Sequence, residues 1–419
     1  MSDLPGGVTA GNVHLRWLLV CFPAFVLPGC GTDVLGPEDG PSAVRVRAGF
    51  DFTCAIDIDA SVICWGRNAL GQLGTGGSDS NQIAPVKIAL DERFISLSTK
   101  ANGNHACALT WQRDAYCWGE NDFGQLGNGS TADRRTPTPV DSDLAFRSIA
   151  AGWRFTCALT VDHDAYCWGR GEWGQLGDGQ AVQRPTPVAV AGGHKFDLLE
   201  VGSNNVVCGL TREGRVLCWG LAFFGSLGAT PPDTCTRADG LQLACARLPH
   251  PIDSDQSFIH VTVGNSFACA IDDQGSSWCW GLNTTGQLGS VPAVLCPSFN
   301  GVDQLPCSPQ PVRVMGNLDF VSISAGVQHA CGITRLGAGY CWGSNSIGQF
   351  GNGSLGMATS EPTLIVGGLE FLTVSAGANH TCGETLGRNL WCWGSNDAGQ
   401  LGTANNNLEL IPALVAVRR

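Results

Sequence analysis

Residues 107–127, CALTWQRDAYCWGENDFGQLG, decide the fold, because the chain writes this stretch seven times. The first cysteine of each copy falls at Cys54, Cys107, Cys157, Cys208, Cys269, Cys331 and Cys382. Its partner stands ten residues later, at Cys64, Cys117, Cys167, Cys218, Cys279, Cys341 and Cys392, and every partner is followed by Trp-Gly. Successive copies start 50, 51 or 53 residues apart, with two longer spacings of 61 and 62 that mark insertions. A period of this length signals one closed array of small supersecondary units, not two or three independent domains.

Each unit carries four short β-type runs bounded by Gly and Pro. In the second copy these begin at Phe94, surround Cys107, end in Cys117-Trp118-Gly119, and resume at Pro139-Val140 after a Gly-rich loop. Four runs, A to D, make one four-stranded sheet, and such sheets repeated around an axis make an all-β propeller. Seven copies predict a seven-bladed β-propeller over residues 42–419, with insertions at 229–250 and 290–310 leaving from the C–D loops of blades 4 and 5. The composition agrees, with 57 Gly, 14% charged residues and 43% apolar residues.

The motifs Ala-Gly-x-x-His-x-Cys-(Ala/Gly), Tyr-Cys-Trp-Gly-x-Asn and Gly-Gln-Leu-Gly-x-Gly resemble the repeat of the regulator of chromosome condensation family, a seven-bladed propeller. The resemblance covers roughly residues 42–417. Kelch repeats have a similar period but place a Gly-Gly pair ahead of separated Tyr and Trp, a pattern absent here. One branch of the resembled family exchanges nucleotide on a small GTPase at chromatin, and similar folds include a secreted bacterial inhibitor of β-lactamase. No exchange motif carries over residue by residue.

Of 20 cysteines, Cys21 and Cys30 lie near the N-terminus, and the remaining 18 form the seven repeat pairs plus Cys235/Cys245 and Cys296/Cys307. Close pairs without a remainder predict a disulfide framework made in an oxidising compartment. A ten-residue separation centred on the B–C turn sets the two cysteines of a blade opposite each other, so one cross-strand disulfide is expected per blade. Zinc thiolates are the alternative, but two Cys per blade make an incomplete tetrahedral site, and no metal or cofactor is expected.

Residues 14–30, HLRWLLVCFPAFVLPGC, show a basic start and an apolar run too short to span a membrane and broken by Pro23. Leu27-Pro28-Gly29-Cys30 resembles the bacterial lipoprotein box. The expected organisation is a signal peptide over 1–29, lipidation at Cys30, and a tether over 30–41. A plain secretory leader is the alternative. The protein is therefore expected to be exported and lipid-anchored at the outer membrane, periplasm or surface of a bacterial cell.

The net charge of −12 survives removal of the leader, since residues 1–29 hold one Asp and one Arg. An acidic surface repels phosphate backbones and anionic lipid, so nucleic acid is not an expected partner and membrane contact is expected only through the anchor. Trp65, Trp118, Trp168, Trp219, Trp280, Trp342 and Trp393 share one register and read as blade packing. His105, His329 and His380 stand where other copies have Phe52, Phe155, Val206 and Phe267, a packing position first and a metal site second. No Ser/His/Asp arrangement or carboxylate pair stands out, so catalysis is not expected.

Strand direction puts the A–B and C–D loops on one side of the ring, where the copies disagree most. There Phe123, Trp173, Phe223 and Phe224 occupy the C–D loops of blades 2–4, beside Trp153 and Arg154. Aromatic and Arg side chains on a rigid rim suit a protein interface, and these six are the candidate partner-binding residues. That they pack against their own loops instead stays open. The function expected is a monomeric, non-catalytic scaffold for an unidentified protein, with a carbohydrate-binding or adhesive module and an inhibitor of a secreted enzyme as alternatives.

Overall fold

The computed structural model describes residues 45–77, 80–291, 294–297 and 303–417. The leader, the tether and Cys30 lie outside them. Seven antiparallel sheets follow one another along the chain, each built from a contiguous segment. Blade 1 consists of strands A to D at Arg45–Ala48, Phe52–Ile56, Val62–Gly66 and Gln82–Lys87. In blade 2 they are Phe94–Ser98, His105–Thr110, Ala115–Gly119 and Arg134–Pro139. The A strands of neighbouring blades touch one another and so form the inner wall of the ring. The outer D strands carry prolines such as Pro85, Pro137 and Pro185, which lack an N–H and so blunt a sheet edge that would otherwise recruit another strand.

Cys107 pairs in register with Cys117, and the same holds in each blade. The Cα–Cα separations in the seven blades are 4.0–4.1 Å, the close approach of directly facing antiparallel residues. All seven cysteine pairs stand at disulfide-bonding distance, and their sulfurs are buried.

The tryptophan after each second cysteine is fully buried against the preceding blade. Its indole N–H donates to a backbone carbonyl there: Trp118 to Gln72 at 3.0 Å, Trp168 to Gln125 at 3.0 Å, and Trp393 to Gln349 at 2.8 Å. This contact explains the last glycine of Gly-Gln-Leu-Gly. Gly127 has φ +72° and lies so close to the indole that a Cβ would stand 2.6 Å from Trp168 Nε1.

The ring closes without exchanging strands, because blade 1 uses only the N-terminal four strands and blade 7 only Phe371–Ala376, His380–Thr385, Leu390–Gly394 and Glu409–Leu414. Closure repeats the bonds of the internal interfaces, with Trp65 Nε1 donating to Gln400 O at 2.9 Å and the Ala48 amide donating to Ser375 Oγ at 2.9 Å.

The insertions are more ordered than the expected long loops. Asp233–Thr236 pairs with a ten-residue strand, Gln242–Pro251, and Val294–Pro297 pairs with Gln304–Arg313. Each longer strand continues the D strand outward, so blades 4 and 5 gain a fifth strand. Cys235–Cys245 and Cys296–Cys307 tie these hairpins, both with Cα–Cα separations of 5.9 Å.

Candidate protein-binding face

The C–D loops are held by their own side chains. In blade 2 the Phe123 amide donates to Gln125 Oε1 at 2.9 Å, and the Leu126 amide to Asn121 Oδ1 at 3.0 Å. Asn121 Nδ2 donates in turn to the carbonyls of Ser130 and Ala132, both at 3.0 Å. A loop closed this way loses little entropy when a partner docks, so a side chain at its tip is presented already ordered.

Phe123 is such a side chain, partly exposed beside the A–B loop of blade 3 with Trp153 and Arg154. The Arg154 guanidinium carbon lies 5.0 Å from the Phe123 ring and 5.3 Å from the Trp153 ring, and that of Arg170 lies 5.2 and 5.0 Å from the same two rings. Two cations and two aromatic rings thus form one mixed stack, held by the attraction of positive charge for the ring quadrupole. Arg154 Nε donates to Glu120 Oε1 at 3.0 Å, and Asn104 Nδ2 to Glu120 Oε2 at 3.1 Å. Arg170 donates through Nε at 3.1 Å and Nη2 at 2.7 Å to Glu172. Each carboxylate fixes one guanidinium against the rings. Arg154 has φ +65°, the left-handed conformation that Asn205 and Ser266 adopt at the same place in the A–B loops of blades 4 and 5.

The six candidates do not act as one rim. Phe123, Trp153 and Arg154 are partly exposed and rest on Arg170, which at 8% exposure supports the rings from beneath, but Trp173, Phe223 and Phe224 are buried, at 3%, 8% and 7% exposure. Those three form a small core with Leu221, Cys235, Cys245 and Cys307, covered by Leu243 and Leu305 of the insertions. The expectation that they line an exposed interface is corrected. Their rings are the apolar floor on which the two inserted hairpins fold, and burying them offsets the entropy of ordering those hairpins. Arg170 and Glu172 were missed by sequence reasoning. The signal was present, since the residue after Trp-Gly switches from Glu120 in blade 2 to Arg170 in blade 3.

The histidines serve the ring, not this face. His105 Nε2 lies 2.8 Å from Thr156 Oγ1 of the next blade, His329 Nε2 2.9 Å from Thr381 Oγ1, and His380 Nε2 2.9 Å from Thr53 Oγ1. Each threonine hydroxyl already donates to a carbonyl, that of Gln125, Gln349 or Gln400, so it accepts from a neutral imidazole N–H. Where the first blade offers Phe52, Phe155, Val206 or Phe267, the next offers Ala106, Val207, Ala268 or Ala330. The two positions vary together in all seven interfaces, polar with polar and apolar with apolar. Burial lowers the histidine pKa values to about 3 for His105 and His380 and about 4 for His329. Among the described residues no group of three or more His, Cys, Asp or Glu is placed to hold a metal ion.

The model of the Regulator of chromosome condensation (RCC1) repeat matches residues 59–109, 114–159, 162–208, 274–333, 337–383 and 389–419, well over half of the chain. The chain belongs to this family. The Ultraviolet-B receptor UVR8 of Arabidopsis thaliana is 30% identical over 88% of this chain and 81% of its own length. Human E3 ubiquitin-protein ligase HERC2 is 29% identical over 82% of this chain, which spans only 7% of that protein. Among solved structures, Prp20p of Saccharomyces cerevisiae, described with its binding to Gsp1p and histones, superposes with TM-score 0.71 at 21% identity, over 90% of this chain and 88% of its own. Human WBSCR16 superposes with TM-score 0.70 at 18% identity, over 85% and 94%. At such identities the likeness shows the propeller alone.

Proposed function

We propose that this chain is a non-catalytic scaffold that captures a protein partner on the A–B/C–D side of blades 2 and 3. The observation that carries the reading is the mixed stack of Phe123, Trp153, Arg154 and Arg170, held still by Glu120, Glu172 and the pinned C–D loop. Aromatic and Arg anchors that are ordered before docking are the usual source of most interface energy. The named activities of the relatives range from ubiquitin ligation to ultraviolet-B reception, and a shared ring with divergent activities suits a binding platform better than a common reaction.

The working compartment belongs to the same reading. Nine cysteine pairs at bonding distance support export to an oxidising space, and the Leu-Pro-Gly-Cys30 segment supports a bacterial lipid anchor. A glycan would stack on an open aromatic face. Both rings of the stack already have two guanidinium groups within 5.3 Å, which favours a protein partner over a carbohydrate.

The test is capture of envelope proteins by the full chain, compared with Trp153→Ala and Arg154→Ala. The variants are expected to lose a discrete partner that wild type retains. Equal recovery by all three would remove this face from the interface.

A further inference from the structure

The opposite side of the ring carries a second feature. Asp197 Oδ1 lies 2.9 Å from His163 Nδ1, 3.8 Å from Arg147 Nη1 and 3.8 Å from Arg212 Nε. The two guanidinium groups also reach the imidazole, with Arg147 Nη1 2.8 Å from Nδ1 and Arg212 Nη2 3.2 Å from Nε2. Arg113 is close enough to act electrostatically on Arg147. Two guanidinium groups and an imidazole therefore share one carboxylate oxygen, with the Arg113 charge acting on Arg147 from the next turn, in a chain whose net charge is −12. Of the neighbouring acids, Asp164 is engaged by Lys195 at 2.7 Å, and Glu213 is bonded to Thr211 between the charges of Arg212 and Arg215, both of which act on it.

The cluster is assembled against the pattern of the repeat. The second residue of strand A is apolar in Ile95, Ile259, Val321 and Leu372, but it is Arg147 and Asp197 in the adjacent blades 3 and 4. The third residue of the B–C turn is left-handed and is glycine in three blades, at Gly214, Gly275 and Gly337. Blades 2 and 3 place Arg113 (φ +74°) and His163 (φ +69°) there, as blades 1 and 7 place Ala60 and Arg388, so the position accepts a side chain where glycine is not used. Burial lowers the Arg147 pKa below the ordinary guanidinium value; Asp197 opposes that shift, and the charges of Arg113 and Arg212 add to it.

We propose that Arg113, Arg147 and Arg212 form a binding site for a phosphate group on the B–C/D–A side of blades 2–4. A tetrahedral oxyanion offers several acceptors to guanidinium forks and a double negative charge to balance the excess of cations. Asp197 and His163 would position the forks, and the imidazole accepts from Arg212 through Nε2.

Calorimetric titration of the full chain with inorganic phosphate and, separately, with a phosphoserine peptide tests the site, in chloride buffers of matched ionic strength. Saturable binding of one equivalent is expected. Arg212→Met, a side chain 67% exposed and so safe for folding, should weaken it at least tenfold. Arg388→Met, at the turn position of Arg113 and His163 in blade 7 but paired with Glu384, should leave it unchanged. Tighter binding of the peptide than of phosphate would assign the group to a modified chain, and the reverse to a free anion; either supports the site. No saturable phosphate or peptide binding, or equal affinity in Arg212→Met, overturns it.

Discussion

Phe123 and Trp173 hold the same place in adjacent C–D loops, and their fates are opposite. Each precedes the first glycine of Gly-Gln-Leu-Gly, and each has its amide fixed by the following glutamine at 2.9 Å. Phe123 remains partly exposed in a stack with two arginines, whereas Trp173 is 3% exposed beneath two inserted hairpins. The repeat sets where a side chain emerges from the blade. What the neighbouring blade has acquired decides whether it meets solvent or becomes core.

The sharpest way to break this comparison is to truncate both residues. Trp173→Ala should cost about 3–5 kcal/mol, since it empties the floor of a packed cluster, while Phe123→Ala should cost under about 1 kcal/mol, because a partly exposed ring leaves no closed cavity. Denaturant unfolding of the two variants reads the difference. Near-equal losses would mean that the two loops are covered alike.

Untying the cover should have the next largest effect. Cys235→Ser with Cys245→Ser opens a short loop, worth about 2–3 kcal/mol in the chain-entropy account. It should also raise binding of an apolar dye as Trp173, Phe223 and Phe224 become reachable. Unchanged dye binding would show that the hairpins stay folded through packing alone.

A smaller effect separates the two kinds of blade interface. His105, His329 and His380 are neutral in the folded ring, with pKa values lowered by burial to about 3, 4 and 3, against about 6.5 when unfolded. A lowered basic pKa means that the unfolded chain takes up protons first. The stability these groups contribute is therefore complete above about pH 6.5 and is lost as pH falls toward 3–4, at up to about 1.4 kcal/mol per pH unit for each. Replacing His380 by Phe together with Thr53 by Ala rewrites the closing interface in its apolar form. That variant should lose less stability between pH 6.5 and 4.5 than wild type, as read by unfolding at each pH. An unaltered pH profile would remove His380 from the acid response.

These contrasts also mark what the sequence could disclose. The blades, the facing cysteines and the buried tryptophans recur seven times, and a position that recurs is a position in the fold. The pairing of His380 with Thr53 was visible in the letters, but only the ring brings residues 327 apart in sequence together. The stack was half legible, through Phe123, Trp153 and Arg154. Arg170 completes it from the C–D loop of the blade that carries Trp153 and Arg154, and no local pattern reports that this loop faces Phe123 of the blade before. Trp173, Phe223 and Phe224 were misplaced because the insertions gave length and two cysteines, but not the direction in which the hairpins fold.

The central claim is that the stack, and not the ring as a whole, meets the partner. A photoreactive phenylalanine analogue at position 123, compared with one at the 87%-exposed Leu336 on the opposite side, tests it most directly. Irradiation of the full chain in envelope extract should join one discrete protein to position 123 and none to position 336. Equal crosslinking at both positions, or crosslinking at 336 alone, would contradict the account.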